Sequence, residues 1–412
     1  MKAKKNNFLF YTDCDDRVTE SAPALAGTLA AFATEFGLSG NVWQQWLTYI
    51  LMTHDNAFTL ACERRNILTD STLMKLAERD LSIFMELFRT EESDFDEDEG
   101  LLPLMLDYKG PYEGECITEA GRRIQELSSS LAEAEDVKEF ARTLTEHYEK
   151  YGSGMFGLYK AFRVDPSSGG AAELKLIPVS DSADVRFDDL IGYESQKKTL
   201  RDNTEAFVSG HYANNVLLYG DSGTGKSTSV HALMHEYSDR GLRLIEVSKT
   251  DRGRIPQILS EIKKRNYRFI LFLDDLSFEE DESDYKELKA MLEGALETRS
   301  DKVLIYATSN RRHLIRETWG DRSDMEYNED VHRSDTMEEK LSLAGRFGVT
   351  IYYPKPGPKE YLEIVRSLAE RKGIELSGQD LEDAARKWEL RHGGMSGRTA
   401  SQLITWLGGT EE

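Results

Sequence analysis

An eight-residue segment at 220–227 carries residue types that bind phosphate groups. It has a glycine, four variable residues, and then Gly-Lys-Ser. Glycines let a backbone curl until its N–H groups face phosphate oxygens, the lysine brings a cation, and the serine hydroxyl can bind a divalent metal. An apolar run precedes the segment and a helical pattern follows it, which is the setting in which this motif binds a nucleoside triphosphate. We call residues 220–227 the phosphate loop.

The expected ligand of the phosphate loop is ATP with Mg²⁺. A GTP-binding alternative depends on residues 248–251, Ser-Lys-Thr-Asp, which are similar to the guanine-reading motif Asn-Lys-x-Asp. That segment lacks the asparagine and follows the phosphate loop too closely, so we favour ATP. The nucleotide-binding residues expected here are Gly220, Asp221, Ser222, Gly223, Thr224, Gly225, Lys226, Ser227 and Thr228.

Polar side chains follow two further apolar runs that have the pattern of buried strands. Asp274 and Asp275 end the first run, and Asn310 lies just beyond the second. Ligands bind at the carboxyl ends of strands in parallel sheets. We expect Asp274 to hold Mg²⁺ together with Ser227, and Asp275 to orient and polarise the attacking water. Asn310 would contact the terminal phosphate or that water, and Lys226 would act on the phosphates as a catalytic cation.

The elements that must position these residues form an alternating series from residue 185 onward. Short apolar runs alternate with helical stretches, which predicts an α/β fold with a parallel P-loop sheet and helices on both faces. The predicted strands are 215–219, 243–247, 269–273, 303–307 and 349–353. Three helices follow a proline-rich joint and would form a C-terminal helical lid; they are predicted at 359–372, 377–390 and 396–407.

The first part of the chain has a different pattern, with apolar residues at helical spacing. Segments 73–88 and 131–148 carry it most clearly, and Trp43 and Trp46 are interpreted as core residues. A turn-forming run at 166–170 suggests a domain boundary. The predicted organisation is a mainly helical acidic domain at 1–165, a linker at 166–184, the ATPase core at 185–354 and the lid at 355–412.

The chain resembles the AAA+ ATPases in the order of four features. These are the phosphate loop, an Asp-Asp strand, a strand ending in Thr-Ser-Asn and a helical C-terminal segment. The resemblance covers about residues 185–407 and is nearest to a poorly characterised bacterial AAA+ family classed as a domain of unknown function. It implies that residues 187–192 pack on the adenine, so Ile191 and Gly192 would contact the nucleotide. It also implies that Arg398, in the lid, senses the nucleotide of its own subunit.

The same resemblance implies an assembly. Arg346 precedes Phe-Gly in a segment similar to those of Holliday-junction motors, and it matches the arginine that reaches the neighbouring subunit's terminal phosphate. A homo-oligomer, in the form of a ring, is therefore expected, with Arg346 acting in trans. An always-charged guanidinium suits this role because it forks onto phosphate oxygens.

One position departs from the common AAA+ pattern. Most members end the acidic strand in Asp-Glu, whereas Asp275 is one methylene shorter, as in replication-initiator relatives that hydrolyse slowly. We therefore expect an ATPase with slow turnover that couples nucleotide state to the remodelling or regulation of a partner. The alternative is a nucleotide-switched interaction or scaffold protein with negligible turnover.

Composition limits the choice of partners and compartments. The net charge is −22, which disfavours nucleic acid as the main partner without excluding a local basic patch. A protein partner bound through the N-terminal domain is expected instead. No apolar stretch is long enough to span a membrane, and no signal-peptide pattern is present, so the expected location is cytoplasmic.

Several lesser patterns have ordinary interpretations. The cysteines, Cys14, Cys62 and Cys116, lack metal-ligand spacing. His231 and His235 are four residues apart on a predicted helix and are interpreted as an ordinary helix face rather than a zinc site. The acidic run 91–99 is interpreted as a solvated loop, with a docking segment as the alternative. The long polar insertion 320–340 is interpreted as a mobile loop, or else as a loop that contacts a partner.

Overall fold

A computed structural model of the protein shows two compact units, Met1–Tyr159 and Lys160–Glu412. The residues that it describes are 8–12, 14, 21–64, 71–91, 100–111, 117–167, 174–179, 185–276, 301–310, 345–374, 376 and 378–409. Within these ranges, none of the helices combines the length and the apolar character needed to cross a membrane.

The N-terminal unit is helical, as the spacing of its apolar residues predicts. Its helices are α1 (Ala22–Phe36), α2 (Val42–Thr53), α3 (Ala57–Glu63), α4 (Thr72–Phe88), α5 (Glu119–Ala132), α6 (Val137–Tyr151) and α7 (Gly154–Leu158). Trp43 and Trp46 are buried in its apolar core, as predicted. The Trp43 indole N–H also donates to the Leu87 carbonyl oxygen over 2.8 Å, which ties α2 to the end of α4.

The helix predicted at 131–148 is wrong at its start. Helix α5 ends at Ala132, and α6 begins at Val137 after a short turn. The Asp136 carboxylate accepts hydrogen bonds from the N–H groups of Lys138 and Glu139, which caps α6. Such a cap satisfies backbone donors that a helix leaves unpaired at its first turn, so it fixes the helix start there.

The described residues of the C-terminal unit form a seven-stranded sheet. Its strands are β1 (Ala161–Val164), β2 (Leu176–Pro178), β3 (Val216–Gly220), β4 (Leu242–Glu246), β5 (Arg268–Leu273), β6 (Val303–Ser309) and β7 (Val349–Tyr353). The order is β2-β1-β4-β5-β6-β3-β7, and every pair is parallel except β1 with β2. Adjacent residues Leu217 and Leu218 point to opposite faces and are both fully buried, so both faces are covered. The predicted fold class is confirmed.

Strands β1 and β2 are absent from the sequence prediction. Strand β1 lies in the stretch assigned to the N-terminal domain, and β2 lies inside the segment interpreted as a linker, 166–184. They have four and three residues, which is too short to display an alternating pattern. The sheet therefore starts earlier in the chain than the sequence pattern indicates.

The helices of this unit are α8 (Glu194–Val208), α9 (Lys226–Tyr237), α10 (Ile255–Ile262), α11 (Pro358–Arg371), α12 (Gly378–Arg391) and α13 (Gly397–Gly408). The last three match the predicted lid helices to within a residue at each end. They pack around a small core of their own that includes Tyr361, Leu381 and Leu403. We call α11–α13 the lid.

The parallel register brings three strand ends to one edge of the sheet. Leu218 of β3 is paired with Thr308 of β6, and Leu273 of β5 is paired with Ala307. The residues that follow β5 and end β6 therefore lie beside the start of the phosphate loop. The predicted site requires this arrangement, because its polar residues after β5 and β6 must lie close to the phosphate loop.

Candidate active site

The phosphate loop connects the end of β3 to the start of α9. Gly220 has φ of 138° and Gly225 has φ of 89°, both in the region that favours glycine. A Cβ on Gly220 would lie 2.1 Å from the Tyr353 carbonyl oxygen, and one on Gly225 would lie 2.4 Å from Leu190 Cδ2. Both glycines are needed for the shape of the loop and for its packing against neighbouring segments.

Lys226 extends back under the phosphate loop. Its side chain donates to the carbonyl oxygens of Gly220 (3.2 Å) and Asp221 (2.6 Å) and to Asn310 Oδ1 (3.0 Å). Only 5% of the residue is exposed. Burial lowers the pKa of the Lys226 ammonium to about 8, nearby carboxylates oppose this change, and Arg398 adds to it. A buried cation that carbonyl oxygens hold in place is well prepared to meet phosphate oxygens.

Ser227 and Asp274 supply oxygen atoms that suit a magnesium ion. The Ser227 hydroxyl donates to Asp274 Oδ1 over 2.7 Å. Mg²⁺ prefers hard oxygen ligands and is held in nucleotide sites by one or two protein groups plus phosphates. The donor set therefore fits the ion, which would neutralise charge on the phosphates when bound.

Asn310 connects the phosphate loop to the second acid. Its Oδ1 accepts from Lys226, and its Nδ2 donates to Asp275 Oδ1 over 2.6 Å. Asp275 itself has φ of 50°, an unusual left-handed conformation for a residue with a side chain. The structure thus brings Lys226, Asp275 and Asn310 into one hydrogen-bonded chain.

Thr308 joins both acids and is a residue that the sequence analysis missed. Its hydroxyl donates to Asp274 Oδ1 over 2.6 Å and accepts from the Asp275 N–H over 2.9 Å. A signal was present, because Thr308 directly follows the apolar run 303–307, at the strand end where ligands bind in parallel sheets.

These groups line a cavity of about 570 Å³. That volume is typical of small-molecule sites. Predicted residues on its wall are Ile191, Ser222, Gly223, Thr224, Gly225, Lys226, Ser227, Thr228, Asp274, Asp275, Asn310 and Arg398. Asp189 and Leu190, from the segment 187–192 expected at the adenine, also line it. Wall residues outside the predictions are Tyr193, Thr308, Ile364, Leu368, Gly397 and Ser401. One end is apolar and the other is charged, as a nucleoside bearing phosphates requires.

Four predicted site residues do not line this cavity. Gly220 and Asp221 lie beneath it, where their carbonyl oxygens hold Lys226. Gly192 and Arg346 are also absent from the described wall residues. Arg346 lies just before β7 and so does not reach the cavity of its own chain.

The lid touches both ends of the cavity. At the phosphate end, the Arg398 N–H donates to the Gly223 carbonyl oxygen over 3.3 Å. At the apolar end, Arg371 Nη1 donates to Asp189 Oδ1 over 2.7 Å, and its Nη2 donates to the Asp188 carbonyl oxygen. A movement of the lid would therefore change both ends of the cavity.

Other sequence patterns lie apart from this cavity. Ser248, Thr250 and Asp251 line a second cavity of about 700 Å³, which shares Asp274 with the first cavity. His231 Nε2 lies 3.3 Å from Glu246, in keeping with an ordinary helix face. Among the described residues, no group of three or more His, Cys, Asp or Glu side chains could hold a metal. The insertion 320–340, residues 92–99 of the acidic run and Cys116 lie outside the described residues.

Three comparisons relate this chain to known proteins. A family model described as "Protein of unknown function (DUF815)" matches residues 159–411. A search of curated proteins found no match. The RuvB Holliday junction branch migration motor of Thermotoga maritima is similar over 54% of this chain, with 20% identity and a TM-score of 0.38. The chain spans only 63% of that motor's length.

A second similar structure is the FIGL-1 AAA domain in complex with ADP. It matches 54% of this chain and 72% of its own length, with 20% identity and a TM-score of 0.38. Similarities at this level do not identify an activity.

Proposed function

The chain belongs to the family described as "Protein of unknown function (DUF815)", and on this premise we propose that it is an AAA+ ATPase that binds ATP with Mg²⁺ and hydrolyses it slowly. One observation carries the proposal. A single cavity is lined by the phosphate loop, by both acids that follow β5, and by Asn310. A turn of glycines without a ligand would not need a buried lysine and two acids beside it.

Each residue has a physical role in this proposal. The backbone N–H groups of the phosphate loop and Lys226 would bind the β- and γ-phosphates. Ser227 and Asp274 would hold Mg²⁺. Asp275 would accept a hydrogen bond from the attacking water. Asn310, which accepts a hydrogen bond from Lys226 in this structure, would contact the terminal phosphate instead.

The nucleotide would act through the lid and through neighbouring copies of the chain. Arg398 would report the phosphates to the lid, because its backbone contacts Gly223. Arg346 would act on the nucleotide of the adjacent subunit in a homo-oligomeric ring. We propose that this cycle remodels or regulates a protein partner bound through the N-terminal unit; a cytoplasmic location stays a prediction from the sequence.

Equilibrium binding tests the nucleotide site directly. We expect a fluorescent ATP analogue to bind the full chain with Mg²⁺, and the Lys226→Ala variant to bind at least about 100-fold more weakly, since it loses a buried cation paired with phosphate. Lys198→Ala changes an exposed lysine on α8 and is the matched control. Absence of binding by the wild-type chain, or equal binding by Lys226→Ala, would refute the proposal.

A second candidate is a nucleotide-switched interaction protein with negligible turnover. The short Asp275 side chain favours it, because its carboxylate already accepts from Asn310 over 2.6 Å. The two candidates differ in the fate of bound ATP. A single-turnover measurement separates them, since a switch protein would release ATP intact whereas a slow ATPase would release ADP and phosphate.

A further inference from the structure

We propose that Thr308 is a positioning residue that aligns the metal-binding acid and the water-activating acid through one hydroxyl group. This inference rests on the proposed ATPase function and adds a residue to it. The hydroxyl contacts both acids at once, donating to Asp274 Oδ1 and accepting from the backbone N–H of Asp275.

The chemistry of the side chain matters here. A hydroxyl group can donate one hydrogen bond while it accepts another, whereas a carboxylate only accepts and a backbone N–H only donates. Thr308 is 2% exposed, so water has little access to replace it. Serine could make the same pair of hydrogen bonds, but valine, with nearly the same shape, could make neither.

Strand β6 also holds the unusual backbone at Asp275. The Leu276 N–H donates to the Thr308 carbonyl oxygen over 2.7 Å, and the Ser309 hydroxyl donates to the Leu276 carbonyl oxygen over 3.0 Å. A left-handed residue with a side chain persists only where its surroundings over-determine it. Residues 308–309 therefore clamp the turn that follows β5, and the Thr308 hydroxyl is the part of the clamp that reaches the acids.

Loss of this hydroxyl should affect metal use and turnover more than nucleotide binding. Asp274 would keep only the Ser227 hydroxyl as a described hydrogen-bond donor, so its carboxylate would be less firmly oriented. Asp275 would lose one of the contacts that fix its backbone. Groups that support metal ligands in this way typically contribute about 10–100-fold to metal affinity or activity.

The test compares Thr308→Val, Thr308→Ser and wild type as full chains. For Thr308→Val we expect kcat to fall about 10–100-fold and the Mg²⁺ concentration for half-maximal activity to rise several-fold. The gain in ATP affinity on adding MgCl₂ should shrink, while ADP affinity in EDTA stays within about twofold. Thr308→Ser should stay near wild type. The change in ATP affinity with MgCl₂ is an equilibrium measurement, so it does not depend on turnover.

Thr204→Val is the matched control. Thr204 is also fully buried, and its hydroxyl contacts the Leu200 carbonyl oxygen and the Tyr306 hydroxyl, away from the cavity. It should lower the unfolding temperature without changing the Mg²⁺ dependence. If Thr308→Val does not fold, Thr308→Ala takes its place with the same expectations.

Two results would overturn the inference while leaving the ATPase intact. In one, Thr308→Val binds Mg²⁺-ATP and turns over like wild type. In the other, its losses match those of Thr204→Val, which would mean a general loss of stability. Failure of the wild-type chain to bind Mg²⁺-ATP would instead refute the proposed function.

Discussion

The amide of Asn310 lies between a cation and an anion. It accepts from Lys226 over 3.0 Å and donates to Asp275 over 2.6 Å. A neutral amide can bond to both because it has an acceptor at one atom and donors at the other. Phosphate oxygens entering the cavity would compete for Lys226, so the hydrogen bond that restrains Asp275 is expected to change when nucleotide binds.

Substitution of Asp275 tests whether this acid activates water. We expect Asp275→Asn to lower hydrolysis at least about 100-fold, since an amide cannot act as a base. Its affinity for Mg²⁺-ATP should stay within about threefold of wild type, because Asp274 still holds the ion. Phosphate release and equilibrium binding, measured on the same sample, check both expectations. Hydrolysis by Asp275→Asn at the wild-type rate would assign the role to another group.

Lengthening the Asp275 side chain tests whether its missing methylene group limits hydrolysis. If the short side chain limits turnover, Asp275→Glu should hydrolyse ATP faster than wild type, because the longer acid reaches further into the cavity. Steady-state phosphate release decides the question. A lower rate would show that the hydrogen bond to Asn310 is tuned to aspartate and that slow turnover has another cause.

Among single residues, the sequence predicted the site residues that belong to motifs and missed those whose role depends on a tertiary contact. The glycines, Lys226 and the two acids follow from residue types at fixed spacing. Asp189 does not, because its contact with Arg371 joins positions 182 residues apart. No local pattern encodes such a pair, whereas Thr308 could have been predicted from its place at the carboxyl end of a predicted strand.

Among the elements, the lid makes polar contacts with the phosphate loop and with the segment before α8. The ion pair between Arg371 and Asp189 is partly exposed, with 39% and 45% of the two side chains accessible. Exposed ion pairs contribute roughly 0.2–1 kcal/mol. We expect Arg371→Gln to raise the dissociation rate of bound nucleotide by about two- to fivefold at low salt, measured by stopped-flow displacement.

A charge exchange supplies the control for the lid contact. The double variant Arg371→Asp with Asp189→Arg exchanges the two charges and so keeps the attraction between them. It should therefore restore part of the slow dissociation. A double variant that behaves as the sum of two defective single variants would show that the pair does not latch the lid.

Helix α6 gives the N-terminal unit a dependence on pH. Burial lowers the pKa of His147 from 6.5 to about 4, and the nearby charges of Arg123 and Lys150 act in the same direction. Between these values the unfolded chain binds a proton that the folded chain does not. Stability from this group is therefore complete above pH 6.5 and is lost progressively as the pH falls toward 4.

Replacement of His147 should remove part of this dependence. His147→Phe keeps a ring beside Tyr151, whose centroid is 5.0 Å away, but cannot take up a proton. We expect its unfolding temperature to fall less than that of wild type between about pH 6.5 and pH 4, as followed by circular dichroism. Exposed His211, in the other unit, offers a control substitution. Parallel curves for wild type and His147→Phe would contradict the assignment.

The sequence predicted elements well where they are long and periodic. Strands β3–β7 and the lid helices were found because each repeats a pattern over several residues. It failed at β1 and β2, whose three or four residues gain their order from pairing in the sheet. It also failed at residues 133–136, where the Asp136 cap outweighs a helical pattern that continues across the turn.

For the whole molecule, the proposal requires neighbouring copies. Arg346 does not line the cavity of its own chain, so a direct contact of Arg346 with a bound nucleotide would have to be made to the site of a neighbouring copy. We expect ATPase activity per subunit to rise with protein concentration, and Arg346→Ala to lower it about 10³-fold or more while ATP affinity is preserved. Sedimentation with Mg²⁺-ATP would report the assembly in parallel.

Mixing experiments provide the control for Arg346. Asp275→Asn alone and Arg346→Ala alone should both be inactive, but a mixture should recover activity, because each active site would take its acid and its arginine from different chains. Activity that does not depend on concentration, or a mixture that stays inactive, would argue against action in trans.

The position of β3 between β6 and β7 has a consequence for synthesis of the chain. Val216 of β3 is paired with Tyr306 on one side and with Val349 on the other, and both partners come later in the sequence. A ribosome must therefore make about a third of the protein after the phosphate loop before that loop has its supporting strands. The N-terminal unit, complete at Tyr159, can fold during translation. The pocket is complete only after these strands are made, so under the proposed function ATP would stabilise the finished chain rather than the nascent one.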